Sequence, residues 1–522
     1  MKKRLLMMLS LCFVGFLGAC GPAATPEQAE TGEVAQGNRT FTYAISGNPS
    51  STNPIVVGDR FGLTFANMVY SPLGRLNAEG GTEFVLAESM DVSEDGLTIT
   101  VHLREGVLWS DGEPFTADDV VFTYETRANP DYGNHANLWI GTEQIAAVAV
   151  DDHTVEFTLP TVSAAAVNNL LFEVFIMPRH VFAEEPDFAA SHLQEHPVGT
   201  GPYVLVEFNP GQYLTFEANE HYFGGVPDIS NVTLRIIENT DTARLALQSG
   251  EVDAAIILPA DIPDFDEGAI NVFPFSENRV GYIGMNALTP ELSDVRVRQA
   301  IRYALNPHDM NIAAFQSEEF FNQPLTFLPP NNPWATTNVN TFETNLDRAR
   351  ELLAEAGAEN LQINIGFSSM DPAQTAQAAL AQAQLAEVGI TLTLEGGDAA
   401  AISAELMNPE STRFNLFTGG YIMGQDPDGY RSLFTSNAAF NFWNYHNEEI
   451  DRLFDAGAVE MDETARFAIY EELQQVISES AIIVPVVDNL RIIAVNNRIG
   501  GVKEAGLVPI YTFDDWSRLT IQ

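Results

Sequence analysis

Residues 419–430 read GGYIMGQDPDGY, the densest run of recognition chemistry in this 522-residue chain. They follow an apolar run, 414–418, that reads as a buried strand, so they leave a strand at its carboxyl end, where open α/β sheets place ligands. Tyr421 offers an apolar face with a polar tip, and Met423 adds a soft thioether. Gln425 brings an amide and Asp426 a carboxylate that can pair with a cation. Asp426-Pro427-Asp428-Gly429 reads equally as a plain surface turn. A second cluster, Phe440-Asn441-Phe442-Trp443-Asn444-Tyr445, sets aromatics beside amides. Trp443 and Asn444 would suit a sugar or a peptide backbone, although aromatics more often serve a core. Arg279 could receive a carboxylate bidentately or pair with a neighbouring acid, and Trp139 is a weaker candidate. Asn48 lies in a loop, 47–54, whose small polar residues and two prolines leave amides and hydroxyls free.

All of this is equipment for holding a solute. Nine histidines are scattered without a His-x-x-x-His pair, so metal hydrolysis lacks its signature. Neither a Gly-x-Ser-x-Gly elbow nor a Gly-x-x-x-x-Gly-Lys loop occurs, which removes esterase and nucleotide-hydrolase readings. The two cysteines, Cys12 and Cys20, stand at the extreme N-terminus, leaving no thiolate nucleophile or disulfide for the folded part. No catalytic residue, metal site or cofactor is assigned. The alternative of another class is a surface-anchored hydrolase, because any two of 71 acids could form a glycosidase pair.

The elements that must position these residues are legible along the chain. In residues 86–125, Asp95-Gly96 is a turn signal, and Leu97, Ile99, Val101 and Leu103 alternate with polar residues as in a half-buried strand. Thr116 is placed to cap a helix, with Asp119 at the capping-box position. Phe41, Tyr43 and Ile45 share one face of an opening strand. Helices are expected at 61–73, 164–175 and 242–250, and strands at 154–159, 203–208 and 232–237. Two glycines in Gly199-Thr200-Gly201-Pro202-Tyr203 permit close backbone approach. Further on, a helix follows Asp294, another spans 345–356, and 361–394 reads strand, helix, strand. The strands at 361–367, 390–394 and 414–418 with their crossover helix imply a mostly parallel sheet there. Helices from Asn447 and Asp462 and a strand at 481–487 around Pro485 complete the order.

Length, charge and the N-terminus bound the setting. A chain this long needs two or three domains. Lys2-Lys3-Arg4, an apolar run at 5–17 and Leu17-Gly18-Ala19-Cys20 resemble a bacterial lipoprotein signal, in which Cys20 carries the lipid. Residues 21–38 have the composition of a flexible tether. The net charge is −46, so nucleic acid and anionic headgroups are repelled. Lys503 is the sole lysine beyond the leader. Such acidity suits high salt, where screening removes self-repulsion.

The wording of 86–125, of 199–203 and of Arg279-Val280-Gly281-Tyr282-Ile283-Gly284-Met285-Asn286 resembles the bacterial extracellular solute-binding proteins of family 5, the oligopeptide, dipeptide and nickel-binding type that serves ABC importers. The Val-Arg-Val-Arg-Gln-Ala run at 295–300 is similar too. The resemblance implies an α/β, two-lobed periplasmic-binding-protein fold (type II, Venus-flytrap) with an extra subdomain in the first lobe. The implied segments are 1–19 signal peptide, 20–38 tether, 39–80 first lobe, 81–195 extra subdomain, 196–284 first lobe, 285–484 second lobe and 485–522 first-lobe return. It implies a monomeric lipoprotein anchored outside the cytoplasm. That protein would capture a small solute, an oligopeptide first, and deliver it to ABC permease subunits with separate ATPase subunits. An oligosaccharide or a metal chelate is the next ligand class. Tyr421 stands where the family has an aromatic. The aspartate that pairs with a peptide's α-amine in such relatives is replaced by Gly424. Either Asp426 takes over that pairing or the ligand has no free amine there.

Overall fold

The computed structural model describes residues 39–76, 82–132, 136–172, 174–185, 195–265 and 268–522. The leader, Cys20 and the tether lie outside them.

Strand Thr40–Ile45 opens the fold, and its alternation works as read: Phe41, Tyr43 and Ile45 are all buried in one core. It pairs in parallel with Asn231–Ile236 and Ala254–Ile257. The antiparallel hairpin Tyr203–Asn209 and Tyr213–Ala218 extends the sheet beyond Asn231–Ile236. Helix Arg60–Val69 covers this sheet. It starts at Asp59, whose carboxylate accepts the Phe61 and Gly62 amides at 3.0 Å each. The helix ends where Gly199 and Gly201 pass against it. A Cβ on Gly199 would sit 1.8 Å from the Val69 carbonyl oxygen, so the close approach is real.

Residues following the first helix build a separate antiparallel sheet in the order Ala87–Val92, Thr98–Leu103, Thr154–Thr158, Ala146–Asp151. Ile99, Val101 and Leu103 point into its core, as the period of two requires. Helix Ala117–Arg127 packs beside it. The Asp119 carboxylate accepts the Thr116 amide at 2.9 Å and the Arg179 amide at 2.8 Å. Its residues act as scaffold.

The second half of the chain repeats the logic with a second core. Strands Gln362–Ser368, Thr391–Gly397 and Leu416–Ile422 run parallel, with helix Pro372–Ala386 as the crossover between the first two. Their flanking strand, Arg279–Met285, is antiparallel. Gly357 and Gly389 stop helices at φ +70° and +88°, conformations that side chains disfavour. The helices expected at 61–73 and 164–175 end earlier, at Val69 and Leu171, and two strand boundaries that bear on the site also differ from the sequence reading. The strand expected at 414–418 runs on through Gly419 and Gly420 to Ile422, because each residue pairs with Arg279–Met285. The strand expected to end at 487 continues as Ile483–Asn496, since it belongs to both halves. Pro485 is tolerated there because the ladder shifts register at that point.

The molecule is two-lobed. One twelve-stranded mixed sheet runs through it, and Ile483–Asn496 is the strand on which its halves meet. Residues Ile483, Val484, Pro485 and Val487 pair with Arg279–Met285, whereas Leu490 to Asn496 pair with Ile270–Ser276. Between those two partners the chain turns at Glu277-Asn278, with Asn278 at φ +50°. No helix among the described residues is long and apolar enough to cross a membrane.

Candidate ligand site at the lobe junction

The lobes meet where strands change partner, and that junction collects charge. Glu277, at the turn, lies 2.9 Å from Arg60 of the first helix and 3.6 Å from Arg491. Asp488 is fully buried; its Oδ2 accepts the Ser276 hydroxyl at 2.7 Å and the Asn322 amide at 3.0 Å. Burial pushes its carboxyl above the usual range, against the hydrogen bonds from Asn322 and Ser276.

Arg279 begins the strand leading into the second lobe, opposite Ile422. Its guanidinium lies over Gly281 and Gly420. A Cβ on Gly420 would meet Nη2 at 2.0 Å, and one on Gly281 would meet Nη1 at 3.0 Å. Glycine weakens a strand, and here its missing side chain makes the bed on which the guanidinium rests. The half-buried group donates to Asn489 Oδ1 at 3.4 Å, and no carboxylate among the described residues lies within 4.0 Å.

Tyr421 and Trp443 sit on the other side of the same strand pair, inside a core. The Tyr421 hydroxyl donates to the Phe327 carbonyl at 2.7 Å, and its ring centroid lies 5.5 Å from Tyr282. Burial holds its phenol well above the ordinary value. Trp443 donates to the Leu433 carbonyl at 3.0 Å and stacks on Phe434 with centroids 5.2 Å apart. Met423 packs half-buried at the edge of this cluster. Asn444 takes φ +48° and donates to Asn286 Oδ1 at 3.1 Å, while Trp139 donates to the Ala128 carbonyl at 2.8 Å.

Asp426 is buried and bound at both oxygens by Arg466, at 2.7 and 2.8 Å. Oδ1 also accepts the Asp428 amide at 2.9 Å. Asp428 pairs with Arg431 at 3.1 Å, and burial, the largest influence, raises its carboxyl. Asn168, from helix Ala164–Leu171 of the extra sheet unit, donates to Asp426 Oδ2 at 3.4 Å. This contact links the extra sheet unit to the second half of the chain. The Gln425 carbonyl accepts the Asn332 amide at 3.0 Å. Asn48 is exposed, and its Oδ1 accepts the Gly211 amide from the 209–213 hairpin turn.

The residues named from sequence are therefore dispersed. Arg279 stands at the junction, Tyr421, Met423 and Trp443 share a core, Asp426 is locked to Arg466, Gln425 and Asn444 are bonded to Asn332 and Asn286, and Asn48 is exposed at the 209–213 turn. Sequence reasoning missed Arg466, Glu277, Arg60 and Arg491. The available signal was scarcity: in a chain with 25 basic residues, each arginine beside a structural boundary merits a partner search.

Comparison with known proteins gives a consistent result. The family described as bacterial extracellular solute-binding proteins, family 5 (middle region), matches residues 83–442. The oligopeptide-binding protein AppA of Bacillus subtilis is 28% identical over 505 residues, covering 92% of each chain. The glutathione-binding protein GsiB of Pectobacterium atrosepticum is 30% identical over 447 residues, covering 83% of this chain and 85% of its own. The ABC transporter substrate-binding protein CtaP of Listeria monocytogenes has a crystal structure that superposes with a TM-score of 0.88. It is 35% identical and covers 92% of this chain and 99% of its own.

Proposed function

Because the chain belongs to the bacterial extracellular solute-binding proteins of family 5, we propose that it is the substrate-binding component of an ABC importer and that its solute is an oligopeptide. The observation that carries this reading is the junction itself. The two half-sheets share strand Ile483–Asn496, and the chain passes between them at the Glu277-Asn278 turn, which this reading takes as the hinge. A solute touching both halves stabilises the closed arrangement by its differential affinity for it. The closed form then presents both lobes to a membrane permease. Peptide is preferred because relatives matching 92% and 83% of the chain are named for binding oligopeptide and glutathione. A carrier is preferred over an enzyme because the family is made of solute-binding proteins.

In this reading Cys20 carries the lipid that holds the protein outside the cytoplasm, 20–38 is its tether, and the chain acts as a monomer. The lobes divide as 39–80, 196–284 and 485–522 against 285–484, with 81–195 as the extra subdomain. Mass spectrometry of small molecules released from the purified protein tests the ligand class. Peptides of a few residues are expected, and a glycan or a metal chelate in their place would overturn it.

A further inference from the structure

Building on the solute-binding reading, we propose that Arg279 receives a carboxylate of the ligand, and that a free ammonium on the ligand contributes little. The substrate class is thus a peptide recognised through its acid group. Arginine is scarce here: Lys and Arg number 25 against 71 acids, so an arginine without an acid is conspicuous. Arg298 and Arg302 also have no ion pair among the described residues, but both are buried and donate to main-chain carbonyls. Arg104 donates to the Val85 carbonyl. Arg279 differs from all three, being half-buried at the junction with one long hydrogen bond to an amide oxygen.

Neither acid near it reaches the guanidinium. Glu277 serves Arg60 and Arg491; Asp488 holds Ser276 and Asn322 on Oδ2, its buried Oδ1 has no hydrogen-bond partner, and neither oxygen lies within 4.0 Å of the Arg279 guanidinium. Gly281 and Gly420 hold the guanidinium against the sheet, which limits its rotamers before any ligand arrives. A planar fork fixed in this way fits a carboxylate's two oxygens better than a mobile ammonium would. The opposite charge is missing from the neighbouring loop. Asp426 gives both oxygens to Arg466, and Asp428 is held by Arg431. An ammonium arriving there would have to displace an arginine.

The test titrates the full chain calorimetrically with a pool of tri- to pentapeptides in three forms: free, C-terminally amidated and N-acetylated. Amidation should weaken binding roughly 10-fold or more, as loss of a charge-assisted hydrogen-bonded pair does, and acetylation by less than about 3-fold. Arg279→Gln should remove the preference for acid over amide, and Arg279→Lys should restore part of it. Gly420→Ala gives a second route, since its Cβ would push the guanidinium aside while keeping the charge; it too should lose the preference. An unchanged preference in both Arg279→Gln and Gly420→Ala, with wild-type binding intact, overturns this inference alone. So does a 10-fold loss on acetylation. A wild-type protein that binds no peptide in any form overturns the oligopeptide reading and this inference with it.

Discussion

Asp426 and Arg466, forty positions apart, face each other as a buried bidentate pair at 2.7 and 2.8 Å. The arginine is flanked by the rings of Trp334 and Tyr470, at 5.0 and 5.2 Å from its carbon centre. Arg466 is held above its ordinary value although burial, the largest influence, works the other way; the Asp426 hydrogen bond outweighs it. The pair converts a residue of the apparent recognition loop into a brace between that loop and helix Glu463–Ser480. Removing one member strands a buried charge. Arg466→Met is therefore expected to lower the unfolding free energy by about 3–5 kcal/mol, read from urea denaturation. A loss below about 1 kcal/mol would mean the pair is solvated and the brace is not one.

Gly199 makes a sharper test of packing. Its missing side chain leaves room for the Val69 carbonyl, and the two nearest atoms a Cβ would meet are backbone. Gly199→Ala should cost about 3 kcal/mol in the same assay, the upper end of the usual overpacking range, because neither chain can step aside without moving a helix end. Gly424 has open space around its Cβ position and no left-handed backbone, so Gly424→Ala should stay within about 0.5 kcal/mol of wild type. Equal effects at the two positions would contradict the close approach.

Asp514 supplies a pH dependence. Burial pushes its carboxyl up to about 6, Arg75 opposes that shift, and Asp515 and Glu83 add to it. A raised folded-state value means the protonated form favours the fold. The contribution is complete below the unfolded value of 3.8 and is lost as pH rises through about 6. Asp514→Asn mimics the protonated form at every pH and leaves Arg75 its contacts to Glu83 and Asp515. The melting temperature of the variant relative to wild type should therefore climb between pH 4 and pH 7, by an amount worth on the order of 3 kcal/mol at most. A flat difference across that range would show that Asp514 titrates normally.

Local chemistry made much of the fold legible. The alternation at Leu97, Ile99, Val101 and Leu103 points to one core, the Asp119 capping position is occupied as read, and Gly199 and Gly201 mark a close approach. These features are decided within a few residues. The candidate site was harder to read because its facts are tertiary. Gly419-Gly420 looks like a strand stop, yet the partner strand Arg279–Met285 keeps the pairing going. That continuation sets the side each residue faces, and it turns Tyr421 toward Tyr282 in the core. Asp426 could not reveal Arg466 as its partner across forty positions. Arg279 was visible as an arginine, but the glycine bed and the lack of an acid within reach are visible only in three dimensions.

The most direct test of the account is a calorimetric titration of the full chain with an oligopeptide pool, followed by mass spectrometry of the peptides recovered. One peptide bound per chain and recovered intact after prolonged incubation is the predicted result. Shortened peptides would contradict a carrier, and the absence of any binding would contradict an oligopeptide as its solute.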